Sequence, residues 1–142
     1  MFYCGTSGFS YDDWMGIFYP ERLPRRNWFS FYAQEFNAVE MNFTYYALPS
    51  AATIKSLASK TGKGFLFAVK ANQEMTHKKQ QDGSVFQSFL KPLQPLINDG
   101  KLGCVLAQFP YSFSNTPDNF AYLKKFKDWM GEGGAHITQT FK

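Results

Sequence analysis

Three runs of the chain are apolar at nearly every position and then stop on a polar residue: Ala38-Val39-Glu40-Met41-Asn42, Phe65-Leu66-Phe67-Ala68-Val69-Lys70, and Leu102-Gly103-Cys104-Val105-Leu106-Ala107-Gln108. Short aliphatic runs of this kind predict strands of a parallel sheet buried on both faces. In such a sheet a carboxylate, ammonium or amide has little reason to occur except at the carboxyl-end rim, where ligands bind. A fourth, shorter run from Phe2 to Thr6 overlaps the turn signal Gly5-Thr6-Ser7-Gly8.

Helical spacing fills the intervals. Phe29, Tyr32, Ala33 and Phe36 share one helix face, with Asn37 as a left-handed terminator. Ser50 is placed to cap a second helix whose buried stripe is Ile54, Leu57 and Ala58. After a polar loop from Ala71 to Gly83, a third helical segment carries Phe86, Phe89, Leu90, Leu93 and Ile97 on one face. Pro92 and Pro95 each remove a backbone donor, which predicts a break near Lys91. Thr116-Pro117 opens a last helix with the stripe Phe120, Leu123, Phe126 and Met130, stopped by Gly131, Gly133 and Gly134. The remaining residues, 135–142, read as a short frayed strand or a disordered tail.

Four strand–helix units without a hairpin signal predict an α/β fold with parallel pairing and right-handed crossovers. An open doubly wound sheet is one solution. A (β/α)₈ barrel is the other, and at roughly 31 residues per unit the 142 residues supply little more than half of one. No Gly-x-Gly-x-x-Gly follows the first strand, which removes support from a dinucleotide-binding open sheet.

Composition narrows the class further. With 44% hydrophobic and 18% charged residues the chain is folded, neither disordered nor fibrous, and 19% aromatic residues exceed what a core of this size absorbs, so some should line a pocket or interface. Cys4 and Cys104 lie in apolar runs and imply no disulfide framework. No metal-binding spacing occurs, and nothing in the sequence names a cofactor. A net charge of +4 favours anionic partners only weakly, because Arg25-Arg26, Lys78-Lys79 and Lys124-Lys125 are scattered in the way of solvated surface. With no leader-like segment and no run of ~18 apolar residues, a cytoplasmic protein without membrane contact is expected.

The ordered motifs Gly5-Thr6-Ser7-Gly8-Phe9-Ser10-Tyr11 with Trp14, Phe18-Tyr19-Pro20, Val39-Glu40-Met41-Asn42 with Tyr45-Tyr46 and Leu48-Pro49, Phe65 to Lys70, Thr76-His77, and Leu106-Ala107-Gln108-Phe109-Pro110 with Phe113 resemble the YecE-like family, domain of unknown function 72. The resemblance implies a TIM-barrel-like fold and so favours the barrel. It covers the family's N-terminal half, residues 1–131. Residues 132–142 depart from it where the family continues into a fifth strand with a Glu-Phe-Arg-His-like motif. The expectation is therefore a partial barrel of about four βα units, from a truncated, frameshifted or fragmentary member. Its inner face is uncovered, and its open sheet edges are prone to self-association.

Strand parity places the chemistry. Glu40 and Asn42 are two residues apart and share a face, opposite Val39 and Met41. Lys70 shares its side with Ala68 and Leu66, and Gln108 with Leu106 and Cys104, so a carboxylate, an ammonium and two amides can converge at the rim. Glu40 with Lys70 offers an acid or base beside an electrostatic stabiliser, while Asn42 and Gln108 can fix a hydroxyl, carbonyl or phosphate oxygen. The competing reading is a Glu40–Lys70 ion pair with no chemistry. His77, beside Thr76, is a further acid–base candidate, lifted by the resemblance, or else polar surface. Ser7 sits in a turn whose amides can cradle an anion, or which is merely tight. Trp14, Tyr11, Tyr19, Tyr45 and Tyr46 either stack on a ligand or pack together as a lid.

These residues define the candidate set: Glu40, Lys70 and His77 for catalysis, and Asn42, Gln108, Trp14, Tyr46, Thr76 and Ser7 for substrate. The leading expectation is an enzyme-type site for a small phosphorylated or polyhydroxylated ligand, impaired in a half-barrel. The alternatives are a nucleic-acid or phosphate-binding module and a non-functional fragment.

Overall fold

The computed structural model describes residues 2–131 and, as backbone, 137–139. Its elements run in the order α1 (Arg25–Glu35), β1 (Ala38–Met41), α2 (Ala51–Ser59), β2 (Leu66–Lys70), α3 (Gln73–Thr76), α4 (Ser84–Leu90), α5 (Gln94–Asn98), β3 (Leu102–Ala107), α6 (Pro117–Gly131) and β4 (Ile137–Gln139). The four strands form one sheet in the order β1-β2-β3-β4, and all three pairings are parallel. This is an α/β fold built from consecutive strand–helix units.

Side-chain alternation decides which face is dry. Val39, Met41, Phe67, Val69, Val105 and Ala107 point into the helix layer, and none is more than 2% exposed. There they meet an aromatic and aliphatic core that includes Trp28, Phe29, Tyr32, Ile54, Phe86, Phe89, Leu93 and Phe126. Their neighbours Ala38, Glu40, Leu66, Ala68, Lys70, Cys104 and Leu106 lie on the opposite face and are only half-buried, whereas a register shift at Phe67/Ala68 sets Leu102 beside Phe67, against the core. The sheet is thus covered on one side, with rows such as Glu40, Ala68 and Cys104 running across the open one.

Most local signals act as the residues dictate. Ser50 Oγ accepts the Thr53 amide at 3.1 Å, and Thr116 Oγ1 accepts that of Asn119 at 3.2 Å. The proline pair divides α4 from α5 by a 3₁₀ turn over Lys91–Leu93.

Three expectations change. The first run is not a regular strand: residues 4–8 lie parallel along β1 through an irregular ladder in which Cys4 and Thr6 carbonyls accept the Ala38 and Glu40 amides and Gly8 donates to the Glu40 carbonyl. Asn37 is not left-handed, and its side chain instead accepts the Cys4 amide and donates to the Phe2 carbonyl, replacing backbone ladder bonds. Phe120 is 57% exposed, because the first two turns of α6 bury Asn119 and Tyr122 in place of Phe120 and Leu123, while Phe126 and Met130 are buried as expected. The tail expectation falls partly outside the described residues. Within them, residues 137–139 pair with β3.

Gly5 makes the edge ladder possible. A Cβ there would lie 2.0 Å from the Ala38 carbonyl oxygen, so no side chain can be accommodated while residues 4–8 stay seated on β1.

Candidate functional site

The carboxyl ends of β1, β2 and β3 and the turn at residues 5–8 enclose a cavity of about 550 Å³ lined by Ser7, Glu40, Asn42, Tyr46, Lys70, Leu106 and Gln108. Each polar group arrives for a local reason. Glu40 and Asn42 alternate with the buried Val39 and Met41, Lys70 closes β2 on the open face, and Gln108 follows β3 directly. Ala68 stands between Glu40 and Cys104 in the same row, and its methyl leaves the floor of the site low.

A hydroxyl links the first wall. Ser7 Oγ lies 3.1 Å from Glu40 Oε1 and 2.6 Å from Asn42 Nδ2. A carboxylate can only accept, so the single Ser7 proton goes to Glu40 and the Asn42 amide must donate to Ser7. That orientation turns Asn42 Oδ1 away, where it is buried without a hydrogen-bond partner. A buried acceptor without a donor costs about 1–3 kcal/mol.

Lys70 stands on the second wall. Its ammonium is 5.1 Å from the centroid of the Tyr45 ring. The ion pairs among the described residues are Arg25–Asp12 and Lys78–Glu74, so Lys70 and Glu40 share the cavity without pairing. Cys104 registers the field of the site: burial first, and the Glu40 charge second, push its thiol above the ordinary range.

Beneath the rim a buried polar brace fixes the strand ends. Thr44, fully buried, directs its hydroxyl to the carbonyls of Met41 at 3.0 Å and Lys70 at 2.6 Å, tying the end of β1 to that of β2. Asn72 Nδ2 donates to the Thr44 carbonyl at 2.9 Å, and its Oδ1 accepts the Glu74 amide, capping α3. Sequence reading missed both residues. The one available signal, Asn72 two positions before Glu74 at the start of a helical turn, lies inside what reads as a polar loop.

The remaining candidates sit elsewhere. Trp14 packs with Tyr11, Phe18 and Tyr19 and does not line the cavity. Tyr19 is buried and stacked on Trp28, and burial, helped by Tyr32, pushes its phenol up to about 12. Thr76 is 1% exposed, with its hydroxyl 3.0 Å from His77 Nδ1, and His77 itself is exposed beside Tyr45. The amides of Thr6 and Gly8 are already engaged, by Tyr32 Oη and the Glu40 carbonyl, so the tight-turn account of Gly5 to Gly8 describes them. The basic pairs do not form a stripe: Lys78 binds Glu74, Lys79 reaches Asn119, and Arg25 binds Asp12. Among the described residues no three His, Cys, Asp or Glu side chains gather as a metal site would require. No helix there is long and apolar enough to cross a membrane.

A parallel α/β sheet with one dry face and a polar cavity at its carboxyl rim defines the class. The chain belongs to the family described as protein of unknown function DUF72, whose model matches residues 3–137. It is 30% identical over 138 residues to the UPF0759 protein YunF of Bacillus subtilis (strain 168), covering 93% of this chain and 48% of that protein. A DUF72 family protein from Thermotoga maritima MSB8 superposes with a TM-score of 0.84 at 34% identity, covering 99% of this chain and 55% of that one. One from Enterococcus faecalis V583 gives 0.81 at 24% identity, covering 99% and 50%, and shows the shared fold. The chain spans about half the length of the relatives it matches.

Proposed function

We propose that the cavity is the ligand site of a TIM-barrel-like partial barrel, taking a small hydroxylated anion such as a sugar phosphate. Glu40 is its acid–base group. Lys70 holds the anionic end, Asn42 and Gln108 take hydroxyl or carbonyl oxygens, and Ser7 holds the Glu40 carboxylate in place. One observation carries this reading: Glu40 and Lys70 line one cavity at the strand ends without pairing with each other, and the side-chain amides Asn42 and Gln108 line it with them. A purely structural rim would pair them. The half-buried inner face, with Leu66 and Leu106, supports the partial-barrel part of the reading, since a closed barrel packs such side chains in its interior.

Chemically, Glu40 can take a proton from a ligand hydroxyl while the Lys70 ammonium stabilises charge developing on the neighbouring oxygen. In the half-barrel these groups form one wall, and turnover requires the facing strands.

Calorimetric titration with ribose 5-phosphate tests the binding. Lys70→Ala removes a charge-assisted contact worth about 1.5–3 kcal/mol, which weakens binding roughly 10- to 150-fold, whereas Glu40→Gln leaves it within a few-fold. Undetectable binding by the unaltered chain, or an affinity indifferent to Lys70→Ala, refutes the assignment. Loss of turnover in the Glu40→Gln variant of a complete family member, with binding kept, is the result expected of the acid–base role.

A further inference from the structure

A second, apolar hollow of about 210 Å³ opens beside the polar cavity and is lined by Gly8, Phe9, Ser10, Tyr11, Glu40, Met41, Asn42 and Phe43. Glu40 and Asn42 line both spaces, so the two adjoin at the end of β1 as neighbouring lobes. The lobes differ in chemistry. The larger presents Lys70, Gln108 and Ser7, whereas the smaller is walled by Phe9, Tyr11, Met41 and Phe43.

Backbone conformation sets the shape of the smaller lobe. Gly8 has φ +86°, and a Cβ on it would lie 2.7 Å from Tyr11 Oη and 3.2 Å from Tyr11 Cζ, so the absence of a side chain lets the phenol end of Tyr11 close on the turn. The Tyr11 hydroxyl donates to the Ser7 carbonyl and holds the ring there. Phe43, 41% exposed, lines the same hollow. A dry cavity of about 150 Å³ accommodates benzene, so a planar ring fits a lobe of 210 Å³.

The geometry points to a ligand in two parts: an anionic, hydroxylated head in the polar lobe and an aromatic ring in the Phe9–Tyr11–Phe43 lobe, the chemistry of a nucleotide. This rests on the sugar-phosphate reading above and extends it. At the junction the side chains of Glu40 and Asn42 line both lobes, where the hydroxyls of a sugar between phosphate and ring would lie. Glu40 accepts one of these hydroxyls, and Lys70 lines the lobe that receives the phosphate. The order of groups along the cleft is then cation, acceptors, apolar walls, which complements anion, hydroxyls, ring.

The test compares adenosine 5′-monophosphate with ribose 5-phosphate on the full chain. Ring stacking against aromatic side chains makes the nucleotide bind about tenfold tighter. Tyr11→Ala brings it down to the level of ribose 5-phosphate and leaves ribose 5-phosphate itself unchanged, and Phe43→Ala, which removes no hydrogen bond, reduces the same excess. Tyr11→Phe keeps the ring and therefore the excess. Equal affinities for the two compounds overturn the inference while leaving the sugar-phosphate site standing. An excess that survives both alanine variants also overturns it, as does one lost in Tyr11→Phe, which would put the effect in the Tyr11–Ser7 hydrogen bond. If neither compound binds, the parent reading fails and this one with it.

Discussion

Replacing Thr44 by valine isolates the brace beneath the site, because the two side chains have nearly the same shape and differ in one hydroxyl. In the native protein that hydroxyl is fully buried and lies within hydrogen-bond reach of two carbonyls, Met41 at 3.0 Å and Lys70 at 2.6 Å. One proton serves both, and valine removes it from both acceptors at once. Losing a buried hydrogen bond and leaving an acceptor unpaired costs about 1–3 kcal/mol. For a domain of this size that corresponds to roughly 4–12 °C in Tm. Urea unfolding followed by tryptophan fluorescence reads it, since Trp28 is buried in the core. The midpoint should fall with an unchanged slope, and Thr44→Ser should recover most of the loss. Because the brace ends on the Lys70 carbonyl, Thr44→Val should also weaken ribose 5-phosphate several-fold where the serine variant does not. A Thr44→Val protein within about 0.3 kcal/mol of the original refutes the account of the brace, for then neither carbonyl depends on the hydroxyl.

Two further predictions follow from contacts at either side of the cavity. Gly5→Ala places a methyl 2.0 Å from the Ala38 carbonyl oxygen. The segment at residues 4–8 must lift off β1, so the Ala38 and Glu40 amides, which now donate to Cys4 and Thr6, should lose their protection from hydrogen exchange; retained protection counts against the close approach. Cys104, whose thiol is held above the ordinary range by burial and then by Glu40, should be alkylated more slowly than the exposed Cys4 at pH 8. Glu40→Gln removes the negative charge that disfavours the thiolate, so the Cys104 rate profile should move to lower pH. An unmoved profile means the Glu40 charge does not reach the thiol.

How far the sequence reveals this site depends on the kind of residue. Glu40, Asn42, Lys70 and Gln108 are legible because strand alternation is local: a polar residue two positions from another, between buried neighbours, can face only one way. In the structure these four line one cavity together with two further candidates, Ser7 and Tyr46. Trp14, Thr76 and His77, which lie beyond the strand ends, are not among the cavity lining: Trp14 packs in an aromatic cluster, Thr76 is buried at the end of α3, and His77 lies against the Tyr45 ring. Thr44 and Asn72 escape detection since their partners are carbonyls and amides from distant segments, which no periodicity encodes. Residues 2–6 read as a strand from composition, yet the Asn37 side chain takes over bonds that a backbone ladder would make, and the segment stays irregular. Phe120 illustrates a register error: the true stripe of α6 begins on polar Asn119, buried because it donates to the Ser114 carbonyl and accepts from Lys79.

The central claim is that the rim cavity binds a hydroxylated anion, and amide chemical shifts test it residue by residue. Titrating ribose 5-phosphate into the ¹⁵N-labelled chain should move the side-chain amides of Asn42 and Gln108 and the backbone amides of Ser7 and Lys70, saturating on one curve. The lysine pairs Lys78-Lys79 and Lys124-Lys125, which lie outside the lining, should remain still. Shifts spread over those basic positions with none at Asn42 or Gln108 would contradict the claim, since they would mark diffuse attraction to a positively charged surface in place of a site.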